Sequence, residues 1–140
     1  MKQDLGKAIA HLQNNGCTCV LCRNDDLWCS TDRGVRPLLT LLDSGKSYAG
    51  YCAADKVVGR ATAFLYCLLQ VRCVHAGVLS DGAAQVLADH NIPWSCDRRV
   101  PGIRNRTDTG PCPMEQATQD ITDPDAALAA IRKRFAELAG

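Results

Sequence analysis

Leu5, Ala8, Ile9 and Leu12 recur at helical spacing near the start of the chain, and Asn14-Asn15-Gly16 supplies a stop, so the pattern predicts a first amphipathic helix. Two short apolar runs follow, Cys17 to Cys22 and Leu27 to Thr31, joined through Asn24-Asp25 as a tight hairpin. Both runs are apolar on each face, which predicts a sheet covered on both sides. Gly34-Val35-Arg36 leads into Pro37, a residue suited to the first helical position; Leu38, Leu39, Leu41 and Leu42 follow, and Gly45 ends that helix. A strand from Tyr48 to Ala54 then turns at Asp55 into a helix whose Val57, Ala61, Phe64, Leu65 and Leu68 face inward.

The alternation continues with a strand from Cys73 to Leu79, a helix from Gly82 to His90 and a strand from Pro93 to Cys96. Asp97 to Cys112 reads as irregular and holds four arginines, Arg98, Arg99, Arg104 and Arg106. A loop of that length inside a compact domain is usually functional or mobile. Asp123-Pro124 opens a final helix, with Leu128, Ile131, Phe135 and Leu138 on one stripe. The order of elements predicts one α/β domain over residues 1–140: a three-layer α/β/α sandwich around a mixed, mostly parallel five-stranded sheet.

Charge removes some function classes. Sixteen Lys plus Arg against fifteen Asp plus Glu leave a net +1, so neither nucleic acid nor an anionic membrane is implied as a partner. Aromatic residues make up 5%, too few for base-stacking platforms. The amphipathic start, without an apolar export core, predicts a cytoplasmic protein. Nine cysteines, an odd number, fit reduced thiols better than a disulfide scaffold. Cys17, Cys19, Cys22 and Cys29 suggest a metal or redox centre, but Cys19 and Cys22 form a single CxxC with no second pair opposite. On a strand Cys17 and Cys19 point one way and Cys22 the other. Buried small hydrophobes are the simpler reading, so neither a metal nor a cofactor is assigned.

Two further motifs fail on inspection. Ser44-Gly45-Lys46-Ser47 resembles the end of a phosphate-binding P-loop, but Thr40 stands where its first glycine belongs, and the run follows a helix instead of a strand. His75-Ala76-Gly77 and Pro111-Cys112-Pro113-Met114 resemble the zinc deaminase pattern, yet Gly77 replaces the acid/base glutamate and Glu115 the second cysteine.

The site expected instead lies where the third strand meets its helix. Asp55 would cap that helix, with Lys56, Gly59 and Arg60 spaced to share one face. An anion at the helix N-terminus would relieve the conflict between Lys56 and the helix dipole, and Gly59 would let it approach. Arg36, at the start of the preceding helix, reaches the same rim, and Arg104-Asn105-Arg106 forms a basic lid. Cys112, before Pro113, would sit at the N-cap of a short helix, where a thiolate is favoured; it is the candidate nucleophile, with Asp55 and Lys56 the candidate acid–base pair.

Gly34-Val35-Arg36-Pro37-Leu38-Leu39, Ala54-Asp55-Lys56-Val57-Val58-Gly59-Arg60-Ala61, Asn105-Arg106 and Cys112-Pro113-Met114-Glu115 together resemble a bacterial and archaeal family of unknown function, number eighteen ninety-three of the domain-of-unknown-function series. The resemblance covers most of residues 17–118; the cysteine-rich hairpin and the helix beyond about residue 120 look like departures. It implies a cytidine-deaminase-like fold of a zinc-less branch, in which the starts of the second and third helices, here Arg36-Pro37 and Asp55-Lys56, carry the chemistry. The functional expectation is a module for a small anionic, nucleotide-like ligand at Arg36, Asp55, Lys56, Gly59, Arg60, Asn105 and Arg106. The alternatives are a non-zinc enzyme using Cys112 or Asp55 and Lys56, and a cysteine-based metal or redox protein.

Overall fold

The computed structural model describes residues 2–105 and 107–139. The helices are α1 (Lys2–Asn14), α2 (Arg36–Asp43), α3 (Arg60–Leu69), α4 (Asp81–Asp89), α5 (Pro113–Thr118) and α6 (Pro124–Ala139). The strands β1 (Cys19–Arg23), β2 (Asp26–Ser30), β3 (Cys52–Val58), β4 (Cys73–Ser80) and β5 (Trp94–Val100) form one sheet in the order β2-β1-β3-β4-β5. β1 runs antiparallel to both β2 and β3, whereas β3, β4 and β5 are parallel. The result is an α/β fold around a mixed five-stranded sheet flanked by helices. Among the described residues no helix is long and apolar enough to cross a membrane.

The two faces are covered unequally. One carries the main core, where Leu21, Ala53, Val58, Val74 and Leu79 of the sheet meet Leu38 and Leu41 of α2, Phe64 and Leu65 of α3, Leu87 of α4 and Ile131 of α6. The other carries α1, whose Ala8 and Leu12 close over Val20, Cys22 and Ala54. Coverage on both sides therefore holds for β1, which is buried from Cys19 through Cys22, and fails for the edge strand β2, where Asp26, Leu27 and Cys29 are exposed. An edge strand has one neighbour, and α1 is a single helix lying over β1 and β3.

β3 departs most from its expected span. Tyr48 and Tyr51 pack edge to face at 5.1 Å around a turn in which Gly50 takes φ +83°, so the strand begins at Cys52. It then runs through Asp55 and Lys56 to Val58, because parallel pairing with β4 continues to Val58 opposite Leu79. The β-branched pair Val57-Val58 suits an extended backbone. Val57, expected on the inner face of a helix, is 45% exposed in the strand. β5 likewise extends past Cys96 to Val100, paired with Ser80. Its Asp97, Arg98 and Arg99 are tolerated because an edge strand can turn charges to water, and Arg99 pairs with Asp81 at 2.7 Å while covering Trp94. The irregular segment accordingly shortens to residues 101–112.

Close backbone approach fixes Gly77 in the middle of β4: a Cβ built there would meet the Lys56 carbonyl oxygen at 2.7 Å. That neighbour is backbone, so it cannot swing aside. Gly77→Ala should cost about 1–3 kcal/mol of unfolding free energy, the range for overpacking a well-filled site. Urea denaturation checks this, and a change below 0.5 kcal/mol (about the size of a neutral surface substitution) would show that the strands can separate freely.

Candidate functional site

The helix following β3 begins at Arg60 with Gly59 as its N-cap, four positions later than Asp55. Asp55 therefore caps no helix. It lies in the strand with its side chain toward α3, and Lys56 projects to the opposite face, toward α1, as strand alternation requires. The expected helical face shared by Lys56, Gly59 and Arg60 does not form.

An anion does occupy the N-terminus of α3, and the chain supplies it. Oε1 of Glu115, in the first turn of α5, accepts the Arg60 backbone N–H at 2.7 Å and the Ser80 hydroxyl at 3.2 Å. Ser80 Oγ in turn accepts the Ala83 N–H at 3.0 Å, so one polar chain closes the starts of α3 and α4. A Cβ on Gly59 would overlap Glu115 Oε1. The glycine makes room for a carboxylate of the protein itself. Arg60 is spent in the same lock: its Nε donates to the Thr118 carbonyl at 2.8 Å, its other nitrogens to the carbonyls of Ile121 and Gly82, and its guanidinium lies 5.2 Å over the Phe64 ring.

Asp55 has a different task. Its carboxylate accepts the Tyr66 hydroxyl at 2.6 Å and the Val57 N–H at 3.2 Å, and Cys19 Sγ lies 3.0 Å from the same tyrosine oxygen. Burial pushes the Asp55 carboxyl up from 3.8 to about 6, against the opposing pull of its hydrogen bonds from Tyr66 and Val57. Burial, then the neighbouring Asp55 charge, holds both the Tyr66 hydroxyl and the Cys19 thiol well above their ordinary values. This polar cluster sits under a hollow of about 340 Å3 lined by Thr18, Cys19, Asp32, Arg33, Gly34, Pro37, Leu38, Asp55, Lys56 and Val57.

Two hollows adjoin it and share Gly34. One of about 190 Å3 lies between Val35 of the α2 turn, Gly59, Thr62, Ile103, Cys112 and Met114; the other, of about 540 Å3, is lined by Arg33, Arg36, Arg104, Asn105, Cys112, Pro113 and Phe135 among others. Together they make a cleft along the carboxyl end of β3, with the start of α2 on its wall. Among the described residues no side chain caps α2, and its first turn holds no acidic residue. Arg33 and Arg36 are exposed there, and among the described residues neither forms an ion pair; Arg36 lies 5.3 Å over the Phe135 ring.

The remaining expected residues divide. Cys112 is the N-cap of α5 and lines two of the hollows, its N–H bonded to Ile103 O at 2.9 Å. The basic lid is largely self-paired: Arg104 is bound to Asp108 at 2.8 Å, and Asn105 bonds Thr109 within the same loop. Arg106 lies outside the described residues. Sequence reasoning passed over Arg33 and Tyr66, weighed Cys19 only as a metal or redox ligand, and met Glu115 only as part of a motif. Glu115 had a legible signal, an acidic residue just after Pro113 in a first turn, whereas Tyr66 meets Asp55 only because α3 folds back over β3.

A family model described as "TM1506: Domain of unknown function (DUF1893)" matches residues 7–135. The chain belongs to this family. The match takes in the cysteine-rich hairpin and most of α6, two segments expected to be departures from it. No curated protein matches the chain. Among solved structures, a DUF1893 family protein (TM1506) from Thermotoga maritima is similar at TM-score 0.89 and 21% identity, over 96% of this chain and 92% of that one. At that identity the likeness establishes the fold.

Asp55 makes stability depend on pH with a definite sign. Its folded pKa, about 6, lies above the ordinary 3.8, so in that window the folded state holds the proton more tightly. Its contribution is complete below 3.8 and disappears as pH rises through about 6, a change on the order of 3 kcal/mol for a shift of this size. Asp55→Asn should flatten that fall between pH 4 and 6 in urea titrations (relative to wild type), and an unchanged slope would refute the assignment. Separately, Glu115→Ala should destabilise by about 1–3 kcal/mol through the unpaired Arg60 N–H and Ser80 hydroxyl. Thermal unfolding with Tm unchanged from wild type would show that water substitutes for the carboxylate.

Proposed function

We propose that this domain binds a small anionic, nucleotide-like molecule in the cleft between α2, β3 and α5. The observation that carries the reading is that two guanidiniums, Arg33 and Arg36, lie beside the start of α2 and that, among the described residues, neither forms an ion pair and no side chain caps the helix. α3 and α4 meet their needs internally through Glu115 and Ser80. A bound anion would complete the amide end of α2 in the way Glu115 completes that of α3. Asp32 lines the first hollow beside Arg33, so the anionic end belongs on the Arg36 side. The neutral end then lies over Val57, Pro37 and Leu38, with Asp55 beneath to exchange hydrogen bonds with a polar ring or hydroxyl. Lys56 contributes at the margin of this hollow, Gly59 and Cys112 line the adjoining one, and Asn105 lines the third. Arg60 serves by holding α5 in place.

A second reading has one observation in its favour. A buried carboxyl whose pKa lies near 6 at the floor of a cleft suits proton transfer, so Asp55 is the residue an enzyme would use, with Cys112 as a nucleophile in the next hollow. The cytidine-deaminase-like fold that the family resemblance implies is part of this proposal, and would put the chemistry near the starts of the second and third helices. The HxE and PCxxC elements of the zinc deaminases are absent, and His75 lies within β4. Nine cysteines with no disulfide among the described residues suit a reducing cytoplasm.

Thermal-shift measurements with inorganic phosphate, nucleoside monophosphates and sugar phosphates test the proposal. A ligand at about 100 times its Kd stabilises by about 2.7 kcal/mol, several degrees in Tm. The shift should disappear in Arg33→Ala and Arg36→Ala and persist in Lys133→Ala, a substitution on the outer part of α6. Failure of every anion to raise Tm, or equal shifts in Arg36→Ala and wild type, overturns it.

A further inference from the structure

We infer that the α1 face carries a zinc site built from His11, Cys17 and Cys29. These three come from separate parts of the chain: His11 from the last turn of α1, Cys17 from the segment leading into β1, and Cys29 from the edge strand β2. Their imidazole nitrogen and two sulfurs all lie within 4.8 Å of one another. Tetrahedral zinc holds sulfur at about 2.3 Å and imidazole nitrogen at about 2.0 Å, which sets its ligands within about 4 Å of each other. Small rotamer changes close the remaining gap. Of the four cysteines considered as one cluster from sequence, two lie outside this group: Cys19 faces Tyr66 and Asp55 on the opposite side of the sheet and Cys22 is buried against Ala8 and Leu12, whereas Cys17 and Cys29 belong to it.

The donor set decides the metal class. Two thiolates and an imidazole favour zinc over magnesium or calcium, which take oxygen ligands. Two thiolates also neutralise a divalent ion, so no unbalanced charge is left beside the apolar packing of α1. Burial is graded across the group, with Cys17 buried, His11 half-buried and Cys29 exposed. Metal can therefore enter from the β2 side, and one coordination position remains for water or an added ligand, as in zinc centres with three protein ligands. Cross-strand pairing sets Cys29 opposite Val20, on the face that α1 covers, which brings an edge residue under the helix. Asn15 restrains the imidazole, its side-chain amide lying 3.1 Å from Nδ1. The site is on the opposite face of the sheet from the Asp55 cluster and does not rest on anion binding there.

The experiment uses the full chain, reduced and freed of metal, titrated with zinc against a chromophoric chelator and in parallel with cobalt. One equivalent should bind, with a thiolate-to-cobalt charge-transfer band in the near ultraviolet. Cys29→Ser and His11→Asn should each weaken zinc binding by more than about tenfold, the lower end of the range seen even for outer-shell changes. Cys29→His should restore it, and Cys73→Ser, on the far side of the sheet's centre, should bind as wild type does. Cys29 is exposed, so its substitution leaves the fold intact, which circular dichroism verifies. Wild-type affinity in Cys29→Ser overturns the proposal, as does a reduced protein that takes up no zinc.

Discussion

A carboxylate supplied from fifty-five residues downstream sits on the amide end of α3, and much of the molecule is arranged around it. Glu115 joins α5 to the starts of α3 and α4, and Arg60 answers from α3 by binding the carbonyls at the end of α5 and beyond it. Each partner satisfies a group that would otherwise be buried and unpaired. The six-residue α5 is too short to hold itself as a helix in water, so its position depends on these contacts. With α5 fixed, Cys112, Met114 and Pro113 become walls of the cleft.

That internal anion also redirects the search for a ligand. A helix start that the chain has already filled cannot also receive a phosphate. The start of α2 is open, with Arg33 and Arg36 beside it and the Asp55–Tyr66–Cys19 cluster beneath. The two halves of such a site suit different ends of one molecule, since guanidiniums attract charge and a buried carboxyl exchanges hydrogen bonds. The opposite face of the sheet carries an unrelated set of donors, two thiols and an imidazole, where α1 crosses the β1–β2 hairpin.

Local pattern was sufficient for the order of elements. Helical spacing located α1, α2, α4 and α6, Asn24 took the left-handed turn conformation expected of the hairpin, and Pro37 fell in the first turn of α2. It was insufficient at β3, where Ala54-Asp55-Lys56 resembles a helix cap as readily as a strand interior. A charged pair inside a parallel strand is disfavoured unless something pairs with it, and nothing near Asp55 in sequence announces Tyr66 as that partner. The candidate site suffered accordingly. Arg36, Gly59 and Cys112 line the cleft; Lys56 borders its first hollow while also facing α1, and Arg60 is locked onto α5.

By itself the sequence determined what depends on neighbours within a few residues: the alternation of strands and helices, the hairpin, the caps at proline and glycine, and the family motif around Ala54 to Ala61. Tertiary structure alone decided which carboxylate lies over which amide, which face of the sheet each cysteine joins, and that Asp55 is buried beneath a tyrosine eleven residues on. Those outcomes are set by contacts between segments far apart in the chain, and the spacing of residues along one segment carries no information about the other.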